Sequence, residues 1–299
     1  LPAFLLMLAL SALYDHVRDL PRSVSLFRGL QVVVVAIVAN ATVTFGRTSL
    51  MAWQDVLLTF IAALLLGRGT SPILAICACA VLSVALFRRE AASAAHTPDR
   101  PNAHTPLLWP ALALSVLAAL SLLALFAVDR KLFDLAALMM KVDLFAFGGG
   151  FASLPLMLHE VVEVRGWLDP KTFMDGIALG QATPGPIVIT ATFVGYRVHS
   201  LAGATVATVG VFFPSFVLVL VTVPYFDRLQ RSPLFQKAVR GALTSFVGLL
   251  LVVTLRFAHA APWSPISIPL AALALLALQL KVDILWVVLA GGLVSILML

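Results

Sequence analysis

The chain has 299 residues, of which 61% are hydrophobic and only 11% are charged, and its mean hydropathy is +1.05. About a quarter of the residues in soluble domains are charged, so this composition excludes a soluble globular protein and indicates a polytopic membrane protein. The net charge of +6 comes from basic residues scattered singly along the loops. Such an excess is typical of cytoplasmic loops in membrane proteins and does not indicate nucleic-acid binding.

Membrane-spanning helices are predicted along most of the chain, because apolar windows of roughly 17 to 25 residues can cross a bilayer. Several windows are shorter, which predicts tilted or broken helices. The windows are 1–14, 28–46, 50–66, 72–87, 107–128, 132–158, 177–198, 201–226, 239–258, 266–280 and 283–299. The first is short and lacks an initiator methionine, so we expect the chain to be a fragment of a longer protein.

A hydrophilic segment interrupts the apolar windows at 88–106. It contains three prolines and several charged residues, and it is predicted to be a solvated linker. His96 and His104 lie in this segment without a framework of other metal ligands. Cys77 and Cys79 also lack a neighbouring acid or histidine and are expected to be structural. We therefore expect neither a metal nor a cofactor.

The sequence contains an internal repeat at a shift of 212 positions, which favours a duplicated transporter fold. The shift aligns Pro2 with Pro214, Phe4 with Phe216, Asp15 with Asp227, Pro21 with Pro233, Arg28 with Arg240 and Gly29 with Gly241. We therefore predict the end of a first repeat at 1–87, the linker at 88–106 and a complete second repeat at 107–299.

The two repeats are predicted to have opposite orientations in the membrane. The windows place seven crossings between the loops 15–28 and 227–240, and an odd number puts equivalent loops on opposite faces. A re-entrant segment at 177–198 would make the count even. The predicted fold is an all-α polytopic membrane protein with duplicated, inverted helical repeats and broken or re-entrant helices.

Two helix-breaking clusters between Phe147 and Phe216 mark the predicted transport site. The first contains Gly148, Gly149 and Gly150, and the second contains Pro184, Gly185 and Pro186. Neither fits an uninterrupted helix. In lipid, irregular backbone is tolerated only where it is buried in protein or lines a wet cavity.

The chemistry of these clusters suits an anion. A helix that restarts at Ile187 would offer free backbone N–H groups and its positive dipole end, and the three glycines could form a second nest of amides. The further predicted donors are Gln181, Thr183, Thr190, Thr192 and Tyr196. The alternative is a simple helix hairpin in which glycines allow close packing.

Some charged side chains near the clusters are candidates for supporting roles. Lys141 and Arg197 are the predicted counter-charges for the anion, and Arg256 is a weaker candidate; the alternative for all three is that they extend to the membrane interface. Asp143, His159 and Glu160 are candidates for a proton relay. The alternative for His159 and Glu160 is a helix end in water.

The motifs of the second repeat resemble those of the chromate ion transporter family. They are FGGG at 147–150, Trp167, GQATPGP at 180–186, FVGY at 193–196, GATVATVG at 203–210 and PSF at 214–216. The resemblance covers the chain except the linker and implies export of chromate, a tetrahedral dianion similar to sulfate. The chain lacks the first repeat's copy of these motifs.

The leading hypothesis is a multi-pass inner-membrane protein that exports chromate by alternating access, driven by the proton gradient or the membrane potential. Its expected partners are chromate or a similar oxyanion and the lipid bilayer; a homodimer is left open. Alternatives are transport of another anion, such as sulfate or a small organic acid, and an inactive fragment or binding partner of a separate half. An intramembrane enzyme is disfavoured because the sequence has no HExxH motif and no suitable pairing of catalytic residues.

Overall fold

Helices make up the regular structure throughout the described part of the chain. The computed structural model describes residues 1–87, 108–146, 148–222 and 229–298. The helices are α1 (Pro2–Val17), α2 (Pro21–Ser49), α3 (Trp53–Gly67), α4 (Pro72–Leu86), α5 (Leu108–Val128), α6 (Arg130–Phe145), a 3-10 turn (Gly150–Ala152) that continues into α7 (Ser153–Met157) and a π-helix (Leu158–Val164), α8 (Pro170–Gln181), a 3-10 turn (Ile187–Ile189) that continues into α9 (Thr190–Thr222), α10 (Pro233–Ala260), α11 (Ser267–Gln279) and α12 (Ile284–Met298). Among the described residues, four helices are long and apolar enough to span a membrane, and five shorter ones are also apolar. The prediction of an all-α polytopic membrane protein is confirmed.

Local sequence signals set several helix starts. Proline occupies the first turn of α1, α2, α4, α8 and α10, where its missing N–H costs no hydrogen bond. Asp169 caps α8 by accepting hydrogen bonds from the backbone N–H groups of Lys171 and Thr172 at 3.0 and 3.1 Å. Burial opposes ionisation of Asp169, but hydrogen bonds from Thr172 and Lys171 outweigh it and lower the pKa of this carboxyl below its ordinary value.

Helix α2 packs antiparallel to α10 at the centre of the bundle. The Thr42 and Thr254 hydroxyls are hydrogen-bonded at 3.1 Å, whereas Gly46, later in α2, lies against Val247, earlier in α10. We call the end of the bundle where α1 ends and α2 begins (residues 15–24) the near end. The opposite end, where α2 ends and α3 begins (residues 47–54), is the far end.

The helices repeat at the same shift as the sequence. Adding 212 to the bounds of α2, α3 and α4 gives 233–261, 265–279 and 284–298, within two residues of α10, α11 and α12. Thr42 and Thr254 are themselves 212 positions apart, so equivalent residues meet, as they do beside a two-fold axis. Because α2 and α10 are antiparallel, this axis is perpendicular to them and equivalent helices point in opposite directions. The division of the chain at 87 and 107 stays a prediction.

Two predicted spans, 132–158 and 177–198, are wrong as single crossings. Helix α6 starts at the near end, where Asp129 Oδ2 lies 2.9 Å from His199 Nε2. The chain turns at Gly148–Gly150, and residues 150–164 return to the near end, where α8 begins. Helix α8 and residues 187–198 form a second hairpin, in which Gly176 lies against Phe193 and Gly180 against Thr190. We call the two hairpins (130–164 and 170–198) hairpin A and hairpin B.

Neither hairpin crosses the bundle, so the number of crossings differs from the prediction. Helix α9 is interrupted at His199 and Ser200, where the backbone leaves helical geometry. Residues 201–222 then run from the near end to the far end. Five helices therefore connect the two ends of the bundle between the two equivalent loops: α2, α3, α4, α5 and the second part of α9, of which α3 and α4 are shorter than a full span. The number is odd, as predicted, although it is reached by a different route.

Candidate functional site

The two helix-breaking clusters meet at the tips of hairpins A and B. The backbone at Gly150 lies so close to Ile187 that a Cβ on Gly150 would be 2.7 Å from Ile187 Cγ2 and 3.7 Å from Ile187 N. Contact between these segments closes the two tips on each other, and Gly148 lies against Phe45, late in α2, and Leu243, in the first half of α10. The structure thus brings together Gly148–Gly150 and 184–187, the two regions that the sequence predicted as one site.

The geometry of the tips requires glycine and leaves backbone accessible. Gly148 and Gly149 have φ angles of 143° and 91°, which residues with a Cβ rarely adopt. Gly149, Pro184, Gly185 and Pro186 are exposed. The helical segments that begin at Gly150 and Ile187 receive no side-chain cap from Gly149 or Pro186. Two helix N-termini therefore converge with their positive dipole ends at the tips.

The predicted polar donors differ in their availability. The Thr183 hydroxyl donates to Gly180 O at 2.7 Å and the Thr190 hydroxyl to Ile187 O at 2.8 Å, and both residues are buried. Their protons are thus used within hairpin B. Gln181 ends α8 half-buried beside the tip, and its side-chain amide has no hydrogen-bond partner among the residues that the structure describes. Backbone amides and Gln181 are the donors that remain for a ligand.

The two hydroxyls farthest along hairpin B lie away from its tip. Thr192 pairs with Thr208 at 2.7 Å, where the returning helical segment of hairpin B packs on the second part of α9. Tyr196 lies nine residues beyond Ile187, about 14 Å along the helix axis. The structure therefore does not bring Tyr196 to the tips.

The predicted counter-charges Lys141 and Arg197 also lie away from the tips. Lys141 Nζ contacts Glu160 Oε1 at 2.5 Å, and Arg165 pairs with the same carboxylate. Glu160 lies ten residues beyond Gly150, on the order of 15 Å along the helix. Arg197 pairs with Asp15 at the near end.

The other charged candidates have structural partners. Arg256 pairs with Glu163 and donates to Leu66 O at 2.8 Å. Asp143 accepts hydrogen bonds from the backbone N–H and the hydroxyl of Ser215 at 2.6 and 2.7 Å, next to Pro214, which lies inside α9. His159 Nδ1 lies 2.9 Å from Glu163 Oε2. Each of these side chains thus has a protein partner, and the proton relay stays a prediction. His159 and Glu160 are only 8% and 6% exposed, which contradicts a helix end in water as their alternative.

A cavity of about 240 Å³ at the near end was missed by the sequence reasoning. Its wall contains three cationic side chains and a buried carboxyl, Asp175, which is only 4% exposed. The Asp175 carboxylate accepts hydrogen bonds from the Tyr14 hydroxyl and from Gln31 Nε2, both at 2.8 Å. The lining residues are Tyr14, Arg18, Asp19, Val24, Phe27, Arg28, Gln31, Lys171, Asp175 and Pro262. A clue was present in the sequence, since Asp175 and Gln31 are polar residues inside otherwise apolar helical segments.

Metal binding finds no support in the part of the chain that the structure describes, which contains no group of three or more His, Cys, Asp or Glu side chains suited to a metal ion. The site is instead built from backbone amides, helix N-termini and, at the near end, a cationic cavity. Such an arrangement can bind and pass on an anion.

Comparison with known proteins places these features in a family context. A family model described as "Chromate transporter" matches residues 1–84 and 133–296. An uncharacterized transporter of Methanocaldococcus jannaschii is 44% identical over 289 residues, covering 97% of this chain and 72% of that protein. Chromate transport proteins of Cupriavidus metallidurans and Pseudomonas aeruginosa are each 30% identical, over 94% and 98% of this chain and 67% and 71% of their own lengths. No solved structure matches.

Proposed function

The chain belongs to the chromate transporter family, and we propose that it exports chromate across the membrane by way of the tips of hairpins A and B. It is a membrane transporter, as the resemblance of its motifs implied. The observation that carries the proposal is the contact of Gly150 with Ile187, which brings two uncapped helix N-termini to one place. Two half-helices with N-termini directed at an anionic group form a recurrent transporter site.

The electrostatics of the tips suit a small dianion. Each helix N-terminus is equivalent to roughly half a positive charge, so the two together supply about one charge without a cationic side chain. Backbone N–H groups and the Gln181 amide can replace water in the ion's hydration shell. A site of this kind recognises charge and size, so it also accommodates sulfate, and sulfate is the alternative substrate we favour over small organic acids.

The membrane potential is a sufficient driving force for export. Moving one charge through 100 mV corresponds to about 2.3 kcal/mol. The free energy of a dianion therefore falls by about 4.6 kcal/mol when it leaves a negatively charged interior. This equals a concentration ratio of roughly three orders of magnitude. The proton gradient is the second candidate driver. The plasma (inner) membrane is the compartment in which both forces would act on a cytoplasmic anion.

Chromate uptake by proteoliposomes tests the site through a matched pair of glutamines. Gln181→Ala removes a donor at the tips, whereas Gln236→Ala removes a side chain that donates to Gln230 O far from them. We expect Gln181→Ala to lower the initial uptake rate about tenfold, because a lost hydrogen bond to a charged ligand costs about 1.5–3 kcal/mol. Gln236→Ala should stay within twofold of the unmodified chain. Equal rates for the two variants would refute the assignment of the tips.

A second pair, Gly149→Ala and Gly166→Ala, separates the site from backbone strain. Both glycines have positive φ angles, 91° and 59°, and a Cβ at either would meet nothing within 4 Å. Gly166 lies in the connection before α8 and away from the tips. With rates normalised to folded protein, only Gly149→Ala should reduce uptake. Competition by sulfate, molybdate and carboxylates would then rank the substrates, and absence of any anion uptake would favour an inactive fragment.

A further inference from the structure

The near-end cavity combines a cationic rim with a carboxyl at its floor. Arg18, Arg28 and Lys171 line the cavity together with the acidic Asp19 and Asp175. The three basic residues are exposed, whereas Asp175 is 4% exposed and Tyr14, another floor residue, is also 4% exposed. The cations reach the cavity from three different segments: the end of α1, the second turn of α2 and the first turn of α8. The fold therefore assembles a positive cavity from residues that are distant in sequence.

The charge of this cavity depends on one proton. Three cations against two carboxylates leave a net charge of +1 when Asp175 is ionised, and of +2 when Asp175 carries a proton. Only the protonated state balances a dianion. Both groups bonded to the Asp175 carboxylate, Tyr14 and Gln31, are neutral donors, so no cation holds Asp175 in its ionised form through direct contact.

Other charged groups on the surrounding elements are already paired with one another. On α8 itself, Asp169 caps the helix and Lys171 lines the cavity. The π-helix packed against α8 carries Glu160 and Glu163. Glu163 is contacted by His159 and by Arg256 of α10, and Glu160 is contacted by Arg165 and by Lys141 of α6. Arg197 pairs with Asp15. From α1, the loop after it and α2, the groups that share the cavity with Asp175 are Tyr14, Arg18, Asp19 and Arg28. Helix α12 contributes no charged side chain. His259 lies on the exposed surface of α10. Asp175 is thus the buried carboxyl whose charge responds most directly to an ion in the cavity.

We propose that the near-end cavity binds a tetrahedral oxyanion dianion together with a proton on Asp175. This inference rests on the proposed function and adds to it a second anion site and a role for protons. The bound dianion and the proton stabilise each other, because each reduces the net charge that the other leaves in the cavity. By linkage, a proton on Asp175 raises anion affinity by the same factor by which the bound anion raises the proton affinity of Asp175.

The sign of this linkage fixes the direction of coupling. Ligands that promote each other's binding move together, so a proton taken up on Asp175 travels in the same direction as the anion. A proton–anion exchange would instead need the two to exclude each other. Export through this cavity would then be driven by the membrane potential acting on the anion. The cotransported proton reduces the net charge that is moved.

Calorimetric titration of the purified full chain with sulfate, which has the required shape and charge and no redox chemistry, tests the proposal. The apparent Kd should rise as pH increases, by up to about tenfold per pH unit where one proton is linked to binding. Titration in buffers of different ionisation enthalpy should show uptake of protons. Asp175→Asn should bind at every pH about as tightly as the unmodified chain does at low pH, with no proton uptake. Tyr14→Phe removes one donor to the carboxylate, so it should move the pH transition upward.

Matched arginines on α2 supply the control. Arg28→Gln removes a rim cation and should weaken sulfate binding about tenfold at all pH values. Arg47→Gln removes an exposed cation at the far end of the same helix and should leave binding unchanged. Sulfate binding that is indifferent to Arg28→Gln, or a pH dependence that persists in Asp175→Asn, would overturn the cavity site. Either result leaves the proposed transport intact if Gln181→Ala still reduces chromate uptake, whereas normal cavity binding without any chromate uptake would reject transport alone.

Discussion

At the scale of single residues, charged side chains in this bundle are held mainly by partners on other helices. Lys141 and Arg165 share Glu160, and Arg256 pairs with Glu163. These contacts explain why the predicted counter-charges do not reach the hairpin tips. A cation next to a helix break in sequence still projects from its own helix, and on a helix the direction changes by 100° with each residue.

The ion pair between Asp55 and Arg240 gives a prediction at this scale. Asp55 is fully buried, contacts Arg240 at 2.8 and 3.0 Å, and accepts hydrogen bonds from the backbone of Met51 and Ala52. Asp55→Ala leaves a cation and two amides without this partner, so the free energy of unfolding should fall by about 3 kcal/mol. Unfolding in detergent monitored by circular dichroism measures the change.

The exposed helix-capping residue Asp283 provides the comparison for Asp55. It accepts a hydrogen bond from Leu285 N at 2.8 Å but forms no ion pair with another residue that the structure describes. Asp283→Ala should cost about 1 kcal/mol, as the loss of a cap does. A loss for Asp55→Ala no larger than this would show that the cross-repeat ion pair adds nothing to stability.

At the scale of elements, short helices and tight backbone contacts define the hairpins. Glycines allow the close approaches: Gly195 lies against Gly203, and Gly210 lies against Ala136 and Met139. These contacts support helix packing as the role of the small-residue segment 203–210. They also hold the returning half of hairpin B against the crossing part of α9.

Gly203→Ala should therefore be strongly destabilising. An added Cβ would overlap the backbone carbonyl of Gly195, which cannot move aside as a flexible side chain can, so we expect a loss of about 2–3 kcal/mol. Gly67→Ala is the control, because a Cβ there meets nothing within 4 Å; it should be neutral or slightly stabilising. Thermal unfolding of both variants in detergent measures the difference. Equal unfolding midpoints would contradict the close contact of Gly203 with Gly195.

At the scale of the whole molecule, the two repeats interlock around α2 and α10. Helix α2 packs on α11 and α12 of the second copy, and α10 packs on α3 and α4 of the first. Because equivalent helices point in opposite directions, the loops before α2 and α10 lie at opposite ends of the bundle. Hairpins A and B begin and end at the near end, where the cationic cavity also lies.

Cysteine labelling tests this inverted arrangement. In a background with Cys77→Ala and Cys79→Ala, single variants Leu20→Cys and Ser232→Cys mark equivalent positions, 212 residues apart. A membrane-impermeant maleimide added to intact cells should label only one of the two variants. Added to inverted vesicles, it should label only the other. Labelling of both variants from the same side would show that the repeats are parallel.

The sequence by itself determined the features that depend on local backbone chemistry. Apolar windows and the 212-residue shift indicated an all-helical, duplicated membrane protein, and the glycine and proline clusters marked where helices stop. Such properties depend on composition and neighbouring residues, so they can be inferred without knowing which helices touch.

Only the tertiary structure decided which way the chain goes after each break and which polar groups meet. Residues 150–164 and 187–198 return to the near end because they pack into hairpins, as Gly176 does against Phe193; hydropathy is the same for a helix that crosses and one that turns back. Tyr14 and Asp175 are 161 positions apart yet share a hydrogen bond. Contacts over such distances follow from the packing of whole helices, and no local pattern encodes them.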